Sequence, residues 1–154
     1  MTPAVRALEA AGVAFTVHEF DHDGATRDFG RVAAAALALD PDQVFKTLVV
    51  AADGALAVAV APVSRQLSLK AMATALGAKR AELGEPSTVE RITGYVVGGI
   101  SPFGQRRRLP TVIDDICELF DTIYVSGGRR GLDLGVAPGD LVAVTGAIVA
   151  RITA

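Results

Sequence analysis

Two runs of branched and small apolar residues, Val44-Phe-Lys-Thr-Leu-Val-Val50 and Leu56-Ala-Val-Ala-Val60, are joined through Asp53-Gly54. Asp-Gly between two such runs is a strong local signal for a β-hairpin, because the turn that fits strand twist needs positive φ at both central residues. An antiparallel pair near the middle of the chain is therefore expected, and the other segments must pack on it or beside it.

The flanking segments read as short helices and strands. Thr2-Pro3 starts a helix with an apolar stripe at Val5, Leu8 and Ala11, and Gly12 stops it. Val13–His18 alternates like a half-buried strand, Asp21–Asp28 reads as a loop, and the alanine-rich Phe29–Leu39 reads as a helix closed by Asp40-Pro41. Ser68 caps a helix ending at Leu76-Gly77, Lys79–Leu83 suits a short strand, and Pro86 opens a helix running to Thr93. Leu109–Asp114, Thr122–Val125, Leu132–Leu134 and Ala147–Thr153 are strand-like, and a short helix is expected from Pro138 to Val144; Ile116–Phe120 favours no one state. Hairpins mixed with helices point to an α+β domain on a strongly twisted, mostly antiparallel sheet, not to regular βαβ winding.

Composition narrows the class. Of the 154 residues 51% are apolar, much of that alanine, and only 5% are aromatic, so a core of small side chains is expected. No apolar run is long enough to span a bilayer and no secretory signal is visible, so a cytoplasmic location without membrane contact is expected. A single cysteine, Cys117, agrees with that compartment. The net charge of −2 excludes a generally basic nucleic-acid binder and leaves two local clusters, Arg106–Arg108 and Arg129-Arg130, each beside a glycine loop.

The first of those loops, Thr93–Gly104, holds four glycines and a proline. Adjacent Gly98 and Gly99 can turn backbone N–H groups toward one point and make a nest for an anion or an oxyanion; a plain connecting loop is the other reading. The second loop is Ser126-Gly-Gly-Arg-Arg-Gly131. Neither has phosphate-loop or dinucleotide spacing. His18-Glu-Phe-Asp-His22 has the spelling of a zinc-protease motif, but strand alternation runs into it and Asp23-Gly24 follows as a turn, so neither a metal nor a cofactor is expected. Lys46, inside an apolar strand, is either an outward gatekeeper against edge pairing or a cation set in a cleft. Asp133, between Leu132 and Leu134, poses the same choice. Cys117 has no histidine near it in sequence and reads as a small buried hydrophobe.

Taken together, Met1-Thr-Pro-Ala-Val5, Pro41-Asp-Gln-Val-Phe-Lys-Thr-Leu48, Thr93–Pro102, Arg108-Leu-Pro-Thr111 and Ile123–Asp133 resemble the YbaK/EbsC family of aminoacyl-tRNA deacylases, over nearly the full length. The resemblance implies one editing domain over residues 1–154 with a partly barrel-like mixed sheet and surrounding helices. It implies clearance of cysteine from Cys-tRNA(Pro), with the acceptor end of the mischarged tRNA as substrate and prolyl-tRNA synthetase as partner. It makes Lys46 the residue most tied to activity, with Gly98 and Asp133 as its catalytic companions. Around them it places a substrate surface of Phe20, Gly99, Ile100, Ser101 and Pro102 and, from the second loop, Ser126, Gly127, Gly128 and Arg129. Phe20 stands where close relatives commonly carry tyrosine, so that hydroxyl is missing here. In such enzymes the substrate's own thiol is thought to attack its carbonyl, which would explain why no Ser-His or Cys-His pair is needed. The rival readings are a deacylase of other specificity, such as alanine on proline tRNA, and a non-catalytic module that binds tRNA or a synthetase.

Overall fold

The structure is a computed structural model that describes residues 1–22 and 28–154. Along the chain it runs α1 (Pro3–Ala11), β1 (Thr16–Glu19), α2 (Phe29–Ala36), β2 (Phe45–Ala52), β3 (Ala55–Pro62), α3 (Leu69–Leu76) and β4 (Ala81–Leu83). Then follow α4 (Pro86–Thr93), β5 (Thr111–Asp114), a 3-10 turn (Asp115–Leu119), β6 (Ile123–Ser126), β7 (Leu132–Val136), α5 (Pro138–Thr145) and β8 (Ile148–Ala150).

The expected hairpin is the centre. β2 and β3 pair antiparallel from Phe45–Pro62 to Ala52–Ala55, and Asp53 and Gly54 close it with φ of 50° and 83°, the double positive of a type I′ turn. Asp53 is held in that conformation because its carboxylate accepts the N–H groups of Lys79 and Arg80 at 3.0 and 3.1 Å. Side chains alternate along β3, so Ala57, Ala59 and Ala61 face α3 with Met72, while Val58 and Val60 face the larger core with Phe45, Val49 and Ile113. The small side chains let a helix lie close on one face, and the valines fill the other.

The hairpin carries a five-stranded sheet of order β4-β2-β3-β5-β8, in which β5 and β8 run parallel to their neighbours. A second, three-stranded antiparallel sheet has the order β1-β7-β6. The expected single sheet is thus two among the described residues, joined there in a ladder contact only at Val44–Tyr124 and not closed into a barrel.

Several boundaries differ from expectation. β1 begins at Thr16, opposite Gly135 of β7, not at Val13, and Val13 and Phe15 instead pack on the main core. The buried stripe of α1 is Ala4 and Leu8; Ala11 is exposed. α2 stops at Ala36, with Ala38 in the left-handed region. Its Gly30 is a close-approach residue, since a Cβ there would lie 2.3 Å from Val63. The last strand ends at Ala150, because the N–H of Ile152 and the hydroxyl of Thr153 turn inward to the buried Asp114 carboxylate at 3.0 Å each. The loop expected over 21–28 falls largely on residues 23–27, outside the described residues.

Candidate active site

A cavity of about 310 Å³ lies where the two sheets meet, walled by β2, the two glycine loops, β7 and the first turn of α2. On its β4 side, β2 is paired only from Val50 to Ala52, so Phe45–Leu48 form an open edge that makes one wall. Lys46 and Thr47 both line it from there. The Lys46 ammonium donates to the Arg65 carbonyl at 3.0 Å. Partial burial lowers its pKa, an effect opposed by the nearby Asp28 carboxylate. Both readings of Lys46 hold a part of the answer: it sits on an open strand edge, and that edge is the wall of a cleft.

Asp133 enters from the middle of β7, flanked across the sheet by His18 and Ser126. It is 6% exposed, has no hydrogen-bond or ion-pair partner among the described residues, and burial pushes its pKa up to about 7. A buried carboxyl left unpaired in the free protein is arranged for a cationic or proton-donating ligand. It forms no ion pair with Lys46, whose ammonium rests on Arg65 instead.

The loop Thr93–Gly104 is irregular throughout, as its glycines predict. It is tied down by Tyr95, whose hydroxyl donates to the Phe103 carbonyl at 2.6 Å and whose pKa burial raises to about 12. At its tip, Val97 N–H donates to Glu90 Oε2 at 2.8 Å and Gly99 N–H to the Val96 carbonyl at 2.9 Å. Gly98, with φ of 89°, lines the cavity, and its N–H has no acceptor among the described residues. The expected pair of nest donors is therefore one donor: the Gly99 N–H is used inside the turn. Gly99 serves another purpose, since a Cβ on it would lie 2.9 Å from the backbone of Arg129 and Arg130, so it lets the two glycine loops touch.

Of the other residues expected on the substrate surface, Phe20, Ile100, Ser126 and Arg129 line the cavity. Gly99, Ser101, Gly127 and Gly128 do not. Ser101 is fully buried and its hydroxyl accepts the Phe103 N–H, while Gly127 and Gly128 pack against Leu132 and Tyr95 to shape the second loop. Pro102 lines a different hollow with Phe103 and Arg108. Phe20 is held by its backbone, its N–H donating to Gly131 at 3.0 Å.

Two cavity residues carried no sequence signal. Thr47 is 8% exposed and its hydroxyl, like the Asp133 carboxyl, has no partner among the described residues. Phe29, at the start of α2, lies under Gly98 and 5.2 Å from the ring of His22. His18 sits on a strand, bonded to Thr16 at 2.8 Å and edge-on to Tyr124, so the two histidines do not share a helix face as a zinc motif requires. Cys117 is buried, with its thiol pushed up to about 11 by burial and then by neighbouring carboxylates, which leaves it unreactive. Arg106, Arg107 and Arg108 are exposed and lie outside this cavity, and Arg129 pairs with Glu19 at 3.3 Å.

The profile of the aminoacyl-tRNA editing domain matches residues 25–144. With this fold and cavity the chain belongs to the aminoacyl-tRNA editing domain family, a class of deacylases that act on mischarged tRNA. It is 33% identical, over 99% of its own length and 93% of the other's, to an Enterococcus faecalis protein named as a candidate Cys-tRNA(Pro)/Cys-tRNA(Cys) deacylase, EbsC. A shorter match, 35% identical over 46% of this chain and 42% of the relative, is to the multifunctional Ser/Thr-tRNA deacylase ProXp-y of Escherichia coli. Among solved structures, hypothetical protein APE2540 superposes with a TM-score of 0.88 at 28% identity, covering 99% of each chain. A candidate trans-editing enzyme for prolyl tRNA synthetase superposes with a TM-score of 0.86 at 25% identity, covering 100% of this chain and 99% of that one. No helix among the described residues is long and apolar enough to cross a membrane.

Proposed function

We propose that residues 1–154 form one trans-editing domain that clears cysteine from Cys-tRNA(Pro), acting beside prolyl-tRNA synthetase. The observation that carries the reading is the content of the cavity. It holds an ammonium and, unpaired among the described residues, a buried carboxyl and a backbone N–H; Ser126 and His22, which both line it, share no hydrogen bond, and no cysteine lines it. Such a site suits a substrate that brings its own nucleophile.

The substrate thiol gives up its proton to solvent and the thiolate attacks its own ester carbonyl carbon; a C–S bond forms, the C–O bond to the terminal ribose breaks, and the ribose oxygen takes a proton from solvent as a cyclic thioester is released. Lys46 supplies positive potential that favours the thiolate, whose ordinary thiol pKa is about 8.5. The Gly98 N–H stabilises the oxyanion. Asp133 takes the substrate's α-ammonium, the cation it lacks in the free protein. Neither a metal nor a cofactor enters these steps. The exposed Arg106–Arg108 cluster is free to meet tRNA phosphates at the acceptor end.

Single-turnover release of amino acid from Cys-, Ser- and Ala-tRNA(Pro), with wild type beside Lys46→Ala, tests this. Clearance of the cysteine ester alone, reduced by about two to three orders of magnitude in the lysine variant, is the expected result. Equal clearance of serine or alanine would replace thiol assistance with a water-dependent deacylase, the reading that the partial match to a Ser/Thr-tRNA deacylase favours. Binding of the tRNA with no clearance of any ester would leave a non-catalytic module.

A further inference from the structure

Arg130 reads in the sequence as half of a basic pair suited to phosphate, yet its guanidinium is committed elsewhere. Its Nε and Nη2 both donate to the Val97 carbonyl, at 2.9 and 2.7 Å, and its Cζ lies over the Phe29 ring, 4.7 Å from the centre. The Val97 carbonyl belongs to the same peptide unit as the Gly98 N–H. A trans peptide is planar, with its C=O and N–H pointing in opposite directions. Fixing the carbonyl on Arg130 therefore fixes the direction of the N–H as well, in a stretch where Val97, Gly98 and Arg130 all line the cavity.

The neighbours of that peptide are immobilised as well. Val97 N–H is held by Glu90 and Gly99 N–H by Val96, so the Gly98 N–H is the one donor of the three left open among the described residues. Phe29 touches both partners, with Arg130 over its ring and Gly98 so close that an added Cβ would lie 2.6 Å from it. A doubly donated, charge-assisted bond to a carbonyl also draws electron density from the amide nitrogen and strengthens the N–H as a donor.

We propose that Arg130 is a positioning residue: acting through the Val97–Gly98 peptide, it aims and polarises the Gly98 N–H that stabilises the oxyanion. This rests on the deacylase reading above for its chemical purpose, but not for its structural content. A cation of this kind changes the rate of the bound substrate and leaves binding alone, whereas a phosphate contact does the reverse.

The experiment compares wild type, Arg130→Lys and Arg130→Gln, each shown to be folded by its thermal transition. In the free proteins the amide nitrogen of Gly98 is followed by NMR, and single-turnover clearance of Cys-tRNA(Pro) is measured against protein concentration at several salt concentrations. The Gly98 nitrogen is expected to move upfield on loss of the donor to Val97, more in the glutamine than in the lysine variant. The maximal rate should fall about a hundredfold in Arg130→Gln and less in Arg130→Lys, with half-saturation and its salt slope unchanged. An unmoved Gly98 resonance, or a weakened half-saturation with a flatter salt slope at full maximal rate, would overturn the proposal. If wild type clears no ester, the deacylase reading fails by itself, and the Gly98 resonance alone then decides whether Arg130 acts on that peptide.

Discussion

Thr47 and Asp133 are both buried polar side chains without a partner among the described residues, and that shared condition makes opposite demands on stability and function. Thr47→Val keeps the shape and removes a hydroxyl that gains nothing in the free protein. It should raise stability by about 1 kcal/mol, seen as a higher melting temperature, and should slow clearance if the hydroxyl is satisfied by bound substrate. Asp133 gives a pH signature. Its carboxyl titrates near 7 when folded and in the ordinary carboxylate range when unfolded, so the unfolded chain gives up the proton first as pH rises. The contribution is most favourable below the ordinary carboxylate range and is lost progressively as pH climbs to about 7. Melting temperatures of wild type and Asp133→Asn, measured from pH 4 to 8, should therefore converge at the acid end and diverge in favour of the asparagine variant toward neutrality. At this scale the sequence made Lys46 and Asp133 visible, as charges inside apolar strands. It could not expose Thr47, because the absence of a partner is a property of the packed molecule. Gly99 misled for a related reason: two adjacent glycines look like two donors, and only the turn shows that one N–H is already used.

Among the elements, helix caps and the hairpin turn were legible because their signals are local. Thr2 accepts the Val5 N–H, Ser68 accepts the Ala71 N–H, and Gly12 and Gly77 end their helices in the left-handed conformation. Sheet membership was not legible, because it depends on which edges meet across the molecule, and so one expected sheet proved to be two. The same distinction separates two alanine substitutions. Gly54→Ala meets open space and suffers only from its φ of 83°, so it should cost about 1 kcal/mol and leave clearance intact. Gly99→Ala has an ordinary φ but would drive a Cβ into the backbone of the opposite loop; it should abolish clearance by prising the loops apart, with a smaller loss of melting temperature than of rate. Thermal melts and single-turnover rates on the two variants check both halves.

At the scale of the whole molecule, three apolar clusters hold the fold, and the largest draws on both sheets. Its composition was foreseeable from the alanine content; the division of labour along β3, alanines under a helix and valines in the main core, follows from strand alternation. The fold class was likewise readable from the mixture of hairpin and helix signals, whereas the cavity was not, since it belongs to no single element. It opens where one sheet ends and the other begins, and the ladder there, among the described residues, is a single bridge, Val44–Tyr124. The rest of the seam is closed by side chains, since the largest apolar cluster takes Val58, Val60 and Ile113 from one sheet and Val125, Leu134 and Val136 from the other. A recess made there brings face to face groups that neither sheet could juxtapose alone: Lys46 stands on the five-stranded sheet and Asp133 on the three-stranded one, so the spacing between them is set by how the shared core is filled, and a change of volume in that core is a change of the site.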